Sequence, residues 1–421
     1  MKQNNIQIPE GYKNSSLGII PNDWEVKKFK TICKEARLGG NYENSESNIG
    51  VPVIKMGNIG RGKIILDLIQ CVPSNYKYNQ YDVLQKGDLL FNTRNTLELV
   101  GKVAIWNNEL PLAIYNSNLL RMYFDKKYVL SNAYINYYFN SHNALRQLKK
   151  YATGTTSVAA IYGRDLEHLK FSLPPLAEQQ KIAEILGTWD EAIEKQSTLI
   201  DKLTGRKRGL MQQLLTGKKR LAGFNEKWKE YTYSEILKEV KRELEWNDNE
   251  LYQLISVRRR SGGLFLRERL YGREIKTKNL RPAFTGDFLI SKMQIVHGAS
   301  GLTTATYNNM KISGSYISLI SKNNKILNIE YLNFWSKTPR FYHQTYISSY
   351  GVHIEKMTFD IETFYAQSIK LPSKLEQDSI VDILTAADKE IELAKLKLEL
   401  LRSQKSGLMQ QLLTGKTLVN I

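Results

Sequence analysis

The ten residues GLMQQLLTGK occur twice in the chain, at 209–218 and again at 407–416. They end a longer repeat, because 173–218 aligns with 371–416 without a gap and matches it at about 22 of 46 positions. The constant offset of 198 residues is far longer than the period of about 20–50 residues that stacked-repeat proteins show. The duplicated unit is therefore half of the molecule, made of one variable block and one repeated segment.

Each repeated segment has the pattern of a long helix. In each copy the predicted helix begins after a proline, Pro174 and Pro175 or Pro372, and ends at a glycine, Gly217 or Gly415, as expected at helix boundaries. About 40 residues at about 1.5 Å each give a length of about 60 Å. Apolar residues recur at steps of three and four and form one stripe per helix. The stripe residues that we expect at a helix–helix contact are Ile182, Leu186, Trp189, Ile193 and Leu203 in the first copy and Leu384, Ile391, Leu398 and Leu401 in the second.

A helix of this length needs a partner for its apolar stripe. The other copy in the same chain is the nearest candidate, which predicts an intramolecular coiled coil; pairing between two chains is the alternative. Trp189 stands where the second stripe has Ala387, and this large-against-small match favours antiparallel helices. Lys207 and Lys405 interrupt both stripes at the same position. They either fix the register of the pair or mark where the helices meet another protein.

The basic residues are distributed unevenly along the 421 residues, whose net charge is +18. The segments 19–172 and 219–370 carry net charges of +7 and +9, whereas 173–218 and 371–421 carry +1 and 0. Two basic blocks with nearly neutral helices after them suggest a polyanionic partner.

The variable blocks contain short β-rich segments that alternate with amphipathic stretches, so we expect mixed α/β (α+β) domains. The length of the chain also favours two or more domains. The expected division is a first domain at 1–172 with an N-terminal segment at 1–18, a central helix at 173–218, a second domain at 219–370 and a C-terminal helix at 371–421.

Composition indicates a cytoplasmic protein. No stretch approaches the roughly 18 apolar residues of a membrane span, and the N-terminus lacks the apolar core of a signal peptide. Cys33 and Cys71 suit a reducing compartment and are too few for a zinc site built on cysteine pairs. We expect neither a metal site nor a membrane partner.

Sequence motifs give no sign of catalysis. The chain has no Asn-Pro-Pro-Tyr or Asp-Pro-Pro-Tyr motif of an amino-methyltransferase and no Walker A pattern for ATP. KMGNIGRGK at 55–63 is glycine-rich, but its GxxGxG spacing is more typical of a strand-turn-strand than of a nucleotide site. The five histidines include no HxxxH pair. We therefore expect no catalytic residue and no cofactor on this chain.

Motifs along the whole chain follow the pattern of one known family. The segments concerned are PPLAEQQKIAEIL at 174–186, the two GLMQQLLTGK copies, GIIPNDWEVKKF at 18–29 and GFNEKWKEYTYSEI at 223–236 around Trp24 and Trp228, and the Gly-Asp segments KGDLLFNTRN at 86–95 and TGDFLISKMQ at 285–294. Together they resemble the specificity subunit of type I restriction-modification systems.

This resemblance implies a non-catalytic, pseudo-twofold subunit with two target-recognition domains. Each domain would read one half of a bipartite, asymmetric site in double-stranded DNA, and the two antiparallel helices would set the unread spacer. The helices would also bind two methyltransferase (modification) subunits, and restriction/translocase subunits would join the assembly. S-adenosylmethionine, ATP and Mg are expected on those partners.

Candidate DNA contacts are Arg, Lys, His, amide and hydroxyl side chains near exposed turns that contain glycine, because these groups read base edges or bind phosphates. In the first block they are Asn58, Arg61 and Lys63, then Arg94 and Asn95, then Thr155, Thr156 and Ser157. In the second block they are Arg258, Arg259, Arg260 and Ser261, then Lys292 and Gln294, then Tyr350 and His353.

Two other functions fit the same sequence. One is the specificity component of another type of restriction-modification system. The other is a coiled-coil scaffold that binds no DNA and whose charge is incidental. DNA binding with two-part sequence specificity distinguishes the DNA readers from the scaffold.

Overall fold

A computed structural model describes residues 8–43, 49–155 and 158–421. The chain divides into two compact units. The first unit combines the residues up to Ser197 with those from Leu396 onward, and the second unit runs from Thr198 to Lys395. Each long helix therefore contributes one of its halves to each unit.

The first unit is a mixed α/β fold, as its sequence predicts. Its strands are β1 (Tyr12–Ser15), β2 (Gly18–Pro21), β3 (Glu25–Lys28), β4 (Cys33–Leu38), β5 (Val51–Ile54), β6 (Gln70–Val72), β7 (Leu89–Asn92), β8 (Arg94–Asn95), β9 (Val103–Ile105), β10 (Ile114–Tyr115), β11 (Leu119–Phe124), β12 (Thr153–Gly154), β13 (Ala159–Ala160) and β14 (Lys170–Leu173). Its helices are α1 (Phe29–Ile32), α2 (Asn132–Phe139), α3 (His142–Tyr151) and α4 (Gly163–Leu166), followed by the long α5 (Leu176–Leu215).

The second unit repeats this composition. Its strands are β15 (Lys229–Thr232), β16 (Leu237–Glu239), β17 (Leu251–Val257), β18 (Leu264–Tyr271), β19 (Leu280–Ala283), β20 (Phe288–Ser291), β21 (Ser300–Leu302), β22 (Met310–Ser313), β23 (Tyr316–Ser321), β24 (Ser349–Tyr350), β25 (Thr358–Phe359) and β26 (Ser368–Leu371). Its helices are α6 (Tyr233–Ile236), α7 (Ile329–Trp335), α8 (Pro339–Ile347) and α9 (Ile361–Tyr365), followed by the long α10 (Lys374–Leu412).

Corresponding antiparallel sheets lie in the two units. Their strand orders are β4-β11-β7-β9 in the first unit and β16-β23-β20-β21 in the second. The Gly-Asp segments enter β7 and β20. Asp88 accepts the amide of Gln85 at 2.8 Å and pairs with Arg121 at 3.1 Å. Asp287 accepts the amide of Phe284 at 2.8 Å in the same way. The aspartate therefore closes the turn before the strand, which is a structural role.

The long helices pack against each other in an antiparallel arrangement within one chain. In the first unit, Ile182 and Leu186 near the start of α5 share a buried cluster with Leu412 at the end of α10. In the second unit, Leu203 of α5 packs with Ile391 of α10. This confirms the predicted pairing, and each fully buried side chain of this kind contributes about 1.5–3 kcal/mol.

Most of the stripe residues predicted at the helix contact are buried. The buried ones are Ile182, Leu186, Leu203, Leu384, Ile391 and Leu398. Trp189, Ile193 and Leu401 are half-buried. The apolar spacing in the sequence therefore identified the face of each helix that packs.

The lysines that interrupt both stripes form reciprocal ion pairs. Lys207 of α5 binds Asp388 of α10, and Lys405 of α10 binds Asp190 of α5 at 2.5 Å. The lysines are 198 positions apart, and so are the aspartates. The lysine side chains are only 15% and 16% exposed, and each also lies over an aromatic ring, that of Phe334 for Lys207 and that of Tyr137 for Lys405. Of the two predicted roles, these contacts favour the fixing of register.

A repeated glutamine joins the start of each long helix to the block before it. Gln179 donates to the carbonyl oxygens of Pro174 at 3.1 Å and Tyr128 at 2.8 Å, and it accepts the amide of Leu130 at 3.2 Å. Gln377 makes the same set of bonds 198 positions later. Because a buried amide must be satisfied, these bonds fix the direction in which each helix leaves its block.

The glycine near the end of each GLMQQLLTGK copy has a steric role. Gly415 has φ +69°, and a Cβ there would lie 2.3 Å from Cδ of Pro21. Gly217 also has φ +69°, and its Cβ would lie 3.3 Å from the ring of Trp228. A left-handed residue after a helix is the usual position for glycine. The copies therefore end at glycine because each packs against the segment that opens a block.

The apolar residues of each copy pack into the unit to which the copy belongs. Leu412 and Leu413 share a buried cluster with Ile20 and Trp24 in the first unit. In the second unit, the corresponding residues of α5, Leu214 and Leu215, share a buried cluster with Leu371 and Tyr233. The ten-residue sequence is repeated because both units need the same packing at this place.

Replacement of Gly415 by alanine is expected to destabilise the first unit. The left-handed backbone costs about 1–2 kcal/mol for a residue with a Cβ, and the overlap with Pro21 adds to this cost. Gly407 is the matched control, because it lies in the helical part of the same copy with open space around its Cβ position. Gly407→Ala should stabilise by about 0.5–1 kcal/mol. Urea unfolding of both variants measures the difference, and equal shifts would contradict this role of Gly415.

A glutamate at the start of each long helix has different partners in the two units. Glu178 is 3% exposed, and its Oε2 accepts from Nε1 of Trp24 at 2.9 Å, while its Oε1 has no hydrogen bond among the described residues. Burial raises the pKa of Glu178 above its ordinary value. Glu376 is 0% exposed and accepts two bonds from Arg220, both at 2.7 Å. Within the part of the chain that the structure describes, the Glu178 carboxylate has no ion pair, whereas that of Glu376 is paired with Arg220.

Replacement of the glutamate by glutamine should therefore have opposite effects on stability at positions 178 and 376. Because the pKa of Glu178 is raised on folding, its negative charge lowers stability above that pKa and has no effect well below the unfolded pKa. Glu178→Gln should raise the melting temperature at pH 7, and the gain should vanish as the solution is acidified. Glu376→Gln should lower stability by roughly 1–3 kcal/mol, because it breaks a bidentate ion pair. Melting temperatures that move in the same direction would contradict this difference.

Candidate nucleic-acid interface

In the first unit, a three-stranded sheet joins two of the predicted contact segments. The strand order is β12-β13-β8, with Ala160 opposite Arg94 and Ala159 opposite Asn95. Thr155 follows β12 directly, so it lies on the same hairpin. The side chain of Arg94 is exposed and that of Asn95 is half-buried. Arg94 and Asn95 therefore lie in this sheet and Thr155 lies directly after its edge strand, whereas the predicted Thr156 and Ser157 lie outside the described residues.

The glycine-rich segment at 55–63 forms a tight turn. The amide of Gly60 donates to the carbonyl of Lys63 at 2.9 Å, and Ile59 forms an isolated antiparallel bridge with Ile64. Met56–Asn58 is a short 3-10 helix and no strand lies within this segment, all of which the structure describes, so the turn is present but the predicted flanking strands are wrong. Asn58 is 5% exposed, and its Nδ2 donates to the carbonyl oxygens of Ile65 and Leu68, both at 3.0 Å. This corrects the prediction of Asn58 as a surface contact, because its amide is used inside the turn. The sequence did not reveal this, because asparagine suits both turns and base edges.

The turn still presents basic side chains. Arg61 and Lys63 are exposed, and Arg61 Nη2 donates to the carbonyl of Glu98 at 3.1 Å. Burial lowers the pKa of Lys102, and the nearby charge of Arg61 lowers it further. The two neighbouring cations, Arg61 and Lys102, favour the binding of an anion beside them.

In the second unit, a hairpin of β24 and β25 lies beside Lys292. The amide of Phe359 donates to the carbonyl of Lys292 at 2.9 Å. Tyr350, at the end of β24, is 66% exposed, and His353 lies in the same hairpin loop. The predicted segment at 292–294 therefore lies beside the hairpin that carries the predicted residues at 350–353.

The loop between β17 and β18 carries the predicted arginine cluster. Arg260 and Ser261 both have left-handed backbones, with φ +56° and +53°. The amide of Arg260 donates to the carbonyl of His297 at 2.6 Å, and that of Ser261 donates to Gly298 at 2.9 Å. The guanidinium of Arg258 lies 4.3 Å from the centroid of the Phe265 ring. Residues held in such backbone conformations cluster at functional sites.

The two units build their candidate contacts on a similar framework. Arg94 and Lys292 are 198 positions apart, and each lies beside a hairpin that contains a glycine with positive φ, Gly154 in the first unit and Gly351 in the second. Sequence reasoning missed the apolar tip of the second hairpin, where Val352 is 94% exposed. It also missed Glu355, because an acidic residue in a basic block looks like an ordinary solvent-exposed surface residue.

Two further structural findings concern sites of other kinds. No group of three or more His, Cys, Asp or Glu side chains that could hold a metal ion occurs within 8–43, 49–155 and 158–421. Across the same residues, no helix has the length and apolar character needed to cross a membrane.

The fold is that of a protein with two similar mixed α/β units, each with exposed basic loops, and a pair of antiparallel long helices. The chain belongs to the family described as the type I restriction modification DNA specificity domain, whose model matches residues 21–204 and 225–402. The two matched segments correspond to the two halves of the internal repeat.

Individual relatives agree with this assignment. The chain is 27% identical over 433 aligned positions to a protein of Methanocaldococcus jannaschii provisionally named the MjaX type I restriction enzyme specificity subunit, with 97% of this chain and 96% of that protein covered. It is 30% identical to the MjaVIII specificity subunit of the same organism over 51% of each chain. The fold is similar to the type I restriction-modification S subunit of M. genitalium, with a TM-score of 0.57, 13% identity, and 94% and 96% of the two chains covered.

Proposed function

We propose that the chain is the sequence-specific DNA-binding subunit of a type I restriction-modification complex and that each unit reads one half of a bipartite site. The observation that carries this proposal is the pair of basic loop clusters, one on each unit, with a common framework and different side chains. Because Arg and Lys prefer guanine while Asn and Gln prefer adenine, different side chains read different bases. The two half-sites are therefore expected to differ.

The helices between the blocks fit a role in setting the spacer. Their reciprocal ion pairs, Lys207 with Asp388 and Lys405 with Asp190, fix the register of one helix against the other. A fixed register between the helices is what a role in spacing needs. We therefore propose a spacer of constant length between the half-sites.

The chemistry is proposed to reside on partner subunits. The sequence has neither the methyltransferase motif nor the ATP-binding motif that these reactions need. Two methyltransferase subunits would supply S-adenosylmethionine chemistry, and restriction/translocase subunits would supply ATP- and Mg-dependent steps. The specificity component of a different restriction-modification type is the second candidate, since the same residues serve it equally well.

A site for the methyltransferase lies on the exposed side of α10. Leu396 and Leu400 are 55% and 57% exposed and lie four residues apart, so they share one face of the helix. Exposed leucines at this spacing suit an apolar partner helix. By contrast, the apolar side chains of the two GLMQQLLTGK copies are packed within their units, which leaves mainly glutamines such as Gln410 and Gln411 for a partner.

Exchange of residues 19–172 for the corresponding block of another family member should change one half-site and leave the other unchanged. The reason is that the candidate contacts of each unit are formed within that unit. Mapping of methylated sites in cells that express the chimaera with its modification subunit gives both half-sites and the spacer. A change in both halves would contradict independent reading, and the absence of any two-part motif with the native chain would support the scaffold.

Replacement of both Leu396 and Leu400 by glutamate should abolish co-purification with the modification subunit, because it places charge in an apolar contact. Leu418→Glu is the control, since this leucine is 53% exposed but lies beyond the helix. Circular dichroism checks that the double variant keeps its helices. Unchanged co-purification of a folded double variant would place the methyltransferase elsewhere.

A further inference from the structure

Arg259 is held by two neighbours in the second unit. Its Nε donates to Oε1 of Gln294 at 2.5 Å, and its Nη2 donates to Oε2 of Glu355 at 3.0 Å. The side chains of Arg259 and Glu355 are 51% and 59% exposed. An ion pair this exposed adds little to stability. Its main consequence is the orientation that it gives to the guanidinium.

The bonds use one edge of the guanidinium and leave another available. A guanidinium has five N–H donors in a planar fork. The Nε–Nη2 edge is occupied by Gln294 and Glu355, and no other hydrogen bond of the Arg259 side chain occurs among the described residues. The Nη1–Nη2 edge therefore keeps two parallel N–H groups. This is the pattern that matches O6 and N7 of guanine in the major groove.

The backbone that carries Arg259 is also fixed. The next two residues, Arg260 and Ser261, are bonded through their amides to the carbonyl oxygens of His297 and Gly298. The hydroxyl of Ser261 additionally lies 2.8 Å from that of Tyr342. Contact side chains read bases most selectively when their support is preorganised in this way.

Glu355 also lies beside His297, without a hydrogen bond between the two side chains. Its Oε1 lies 3.3 Å from Nε2 of His297, while its Oε2 accepts from Arg259. A carboxylate near DNA is repelled by the phosphates, and this repulsion is unfavourable unless the carboxylate pairs with a cation of the protein. The hydrogen bond to Arg259 gives Glu355 a partner inside the protein.

We propose that Arg259 reads a guanine in the half-site of the second unit and that Gln294 and Glu355 are positioning residues for its guanidinium. This proposal rests on the proposed DNA-binding function and deepens it. It also changes the expected role of Gln294, which the sequence suggested as a base reader, because its Oε1 is occupied by Arg259. The alternative is that Glu355 itself reads a base, since carboxylates accept from N4 of cytosine.

The test measures base preference at each position of the site. The full chain, purified with its modification subunit, is incubated with duplexes that carry a randomised site, and the bound fraction is sequenced. Arg259→Ala should reduce the preference for guanine at one position of one half-site by about 5- to 150-fold and leave the other half-site unchanged. Glu355→Ala should weaken the preference at the same position, and the double variant should resemble Arg259→Ala alone.

Two further variants separate positioning from a structural role. Glu355→Gln keeps an acceptor for Arg259 and should restore most of the preference that Glu355→Ala loses. Glu268→Gln is the control, because Glu268 pairs with the exposed Arg267 outside this cluster and should have no effect at that position.

Other outcomes would overturn the proposal. A uniform loss of affinity in Arg259→Ala would identify a phosphate contact, and a changed preference at a different position in Glu355→Ala would make Glu355 a reader in its own right. If the native complex selects no two-part sequence at all, the proposed function itself fails. Selection of a two-part site that is unaffected by Arg259→Ala would overturn only the role of Arg259.

Discussion

The antiparallel contact between the two long helices is the interaction on which the rest of the structure depends. Neither helix can bury its apolar stripe alone. The start of α5 packs near the end of α10, and Leu203 in the second half of α5 packs with Ile391 in the first half of α10. The contact contains the two ion pairs of Lys207 and Lys405, each of which also places its ammonium about 5–6 Å from an aromatic ring. Leucine contacts supply the free energy of this pairing, and the ion pairs limit it to one register.

The same contact explains which parts of the chain are repeated and which differ. Residues with structural roles recur at an offset of 198 in both units, as Gln179 and Gln377 do with their identical hydrogen bonds. Residues on the loops, such as Arg94 and Lys292, differ at the same offset. A specificity protein needs this separation, because a common framework must carry side chains that read different bases.

The sequence predicted the elements that depend on local pattern. The apolar spacing located both helices and their buried faces, and the terminal glycines located their ends. Long-range contacts were not predictable in the same way. Asn58 is buried by a turn that its neighbours form, and the partners of Glu178 and Glu376 differ although the helix sequences around them are similar. Arg259 and Glu355 are separated by 96 residues, so only the fold brings them together.

The intramolecular, antiparallel helix contact is tested most directly by zero-length carbodiimide crosslinking, which joins a lysine amine to a carboxylate in contact with it. Isotopically labelled and unlabelled chains are mixed before the reaction, and the crosslinked peptides are identified by mass spectrometry. The structure predicts links between Lys405 and Asp190 and between Lys207 and Asp388, with both peptides always from the same isotopic chain. Links at these positions between labelled and unlabelled peptides would contradict it.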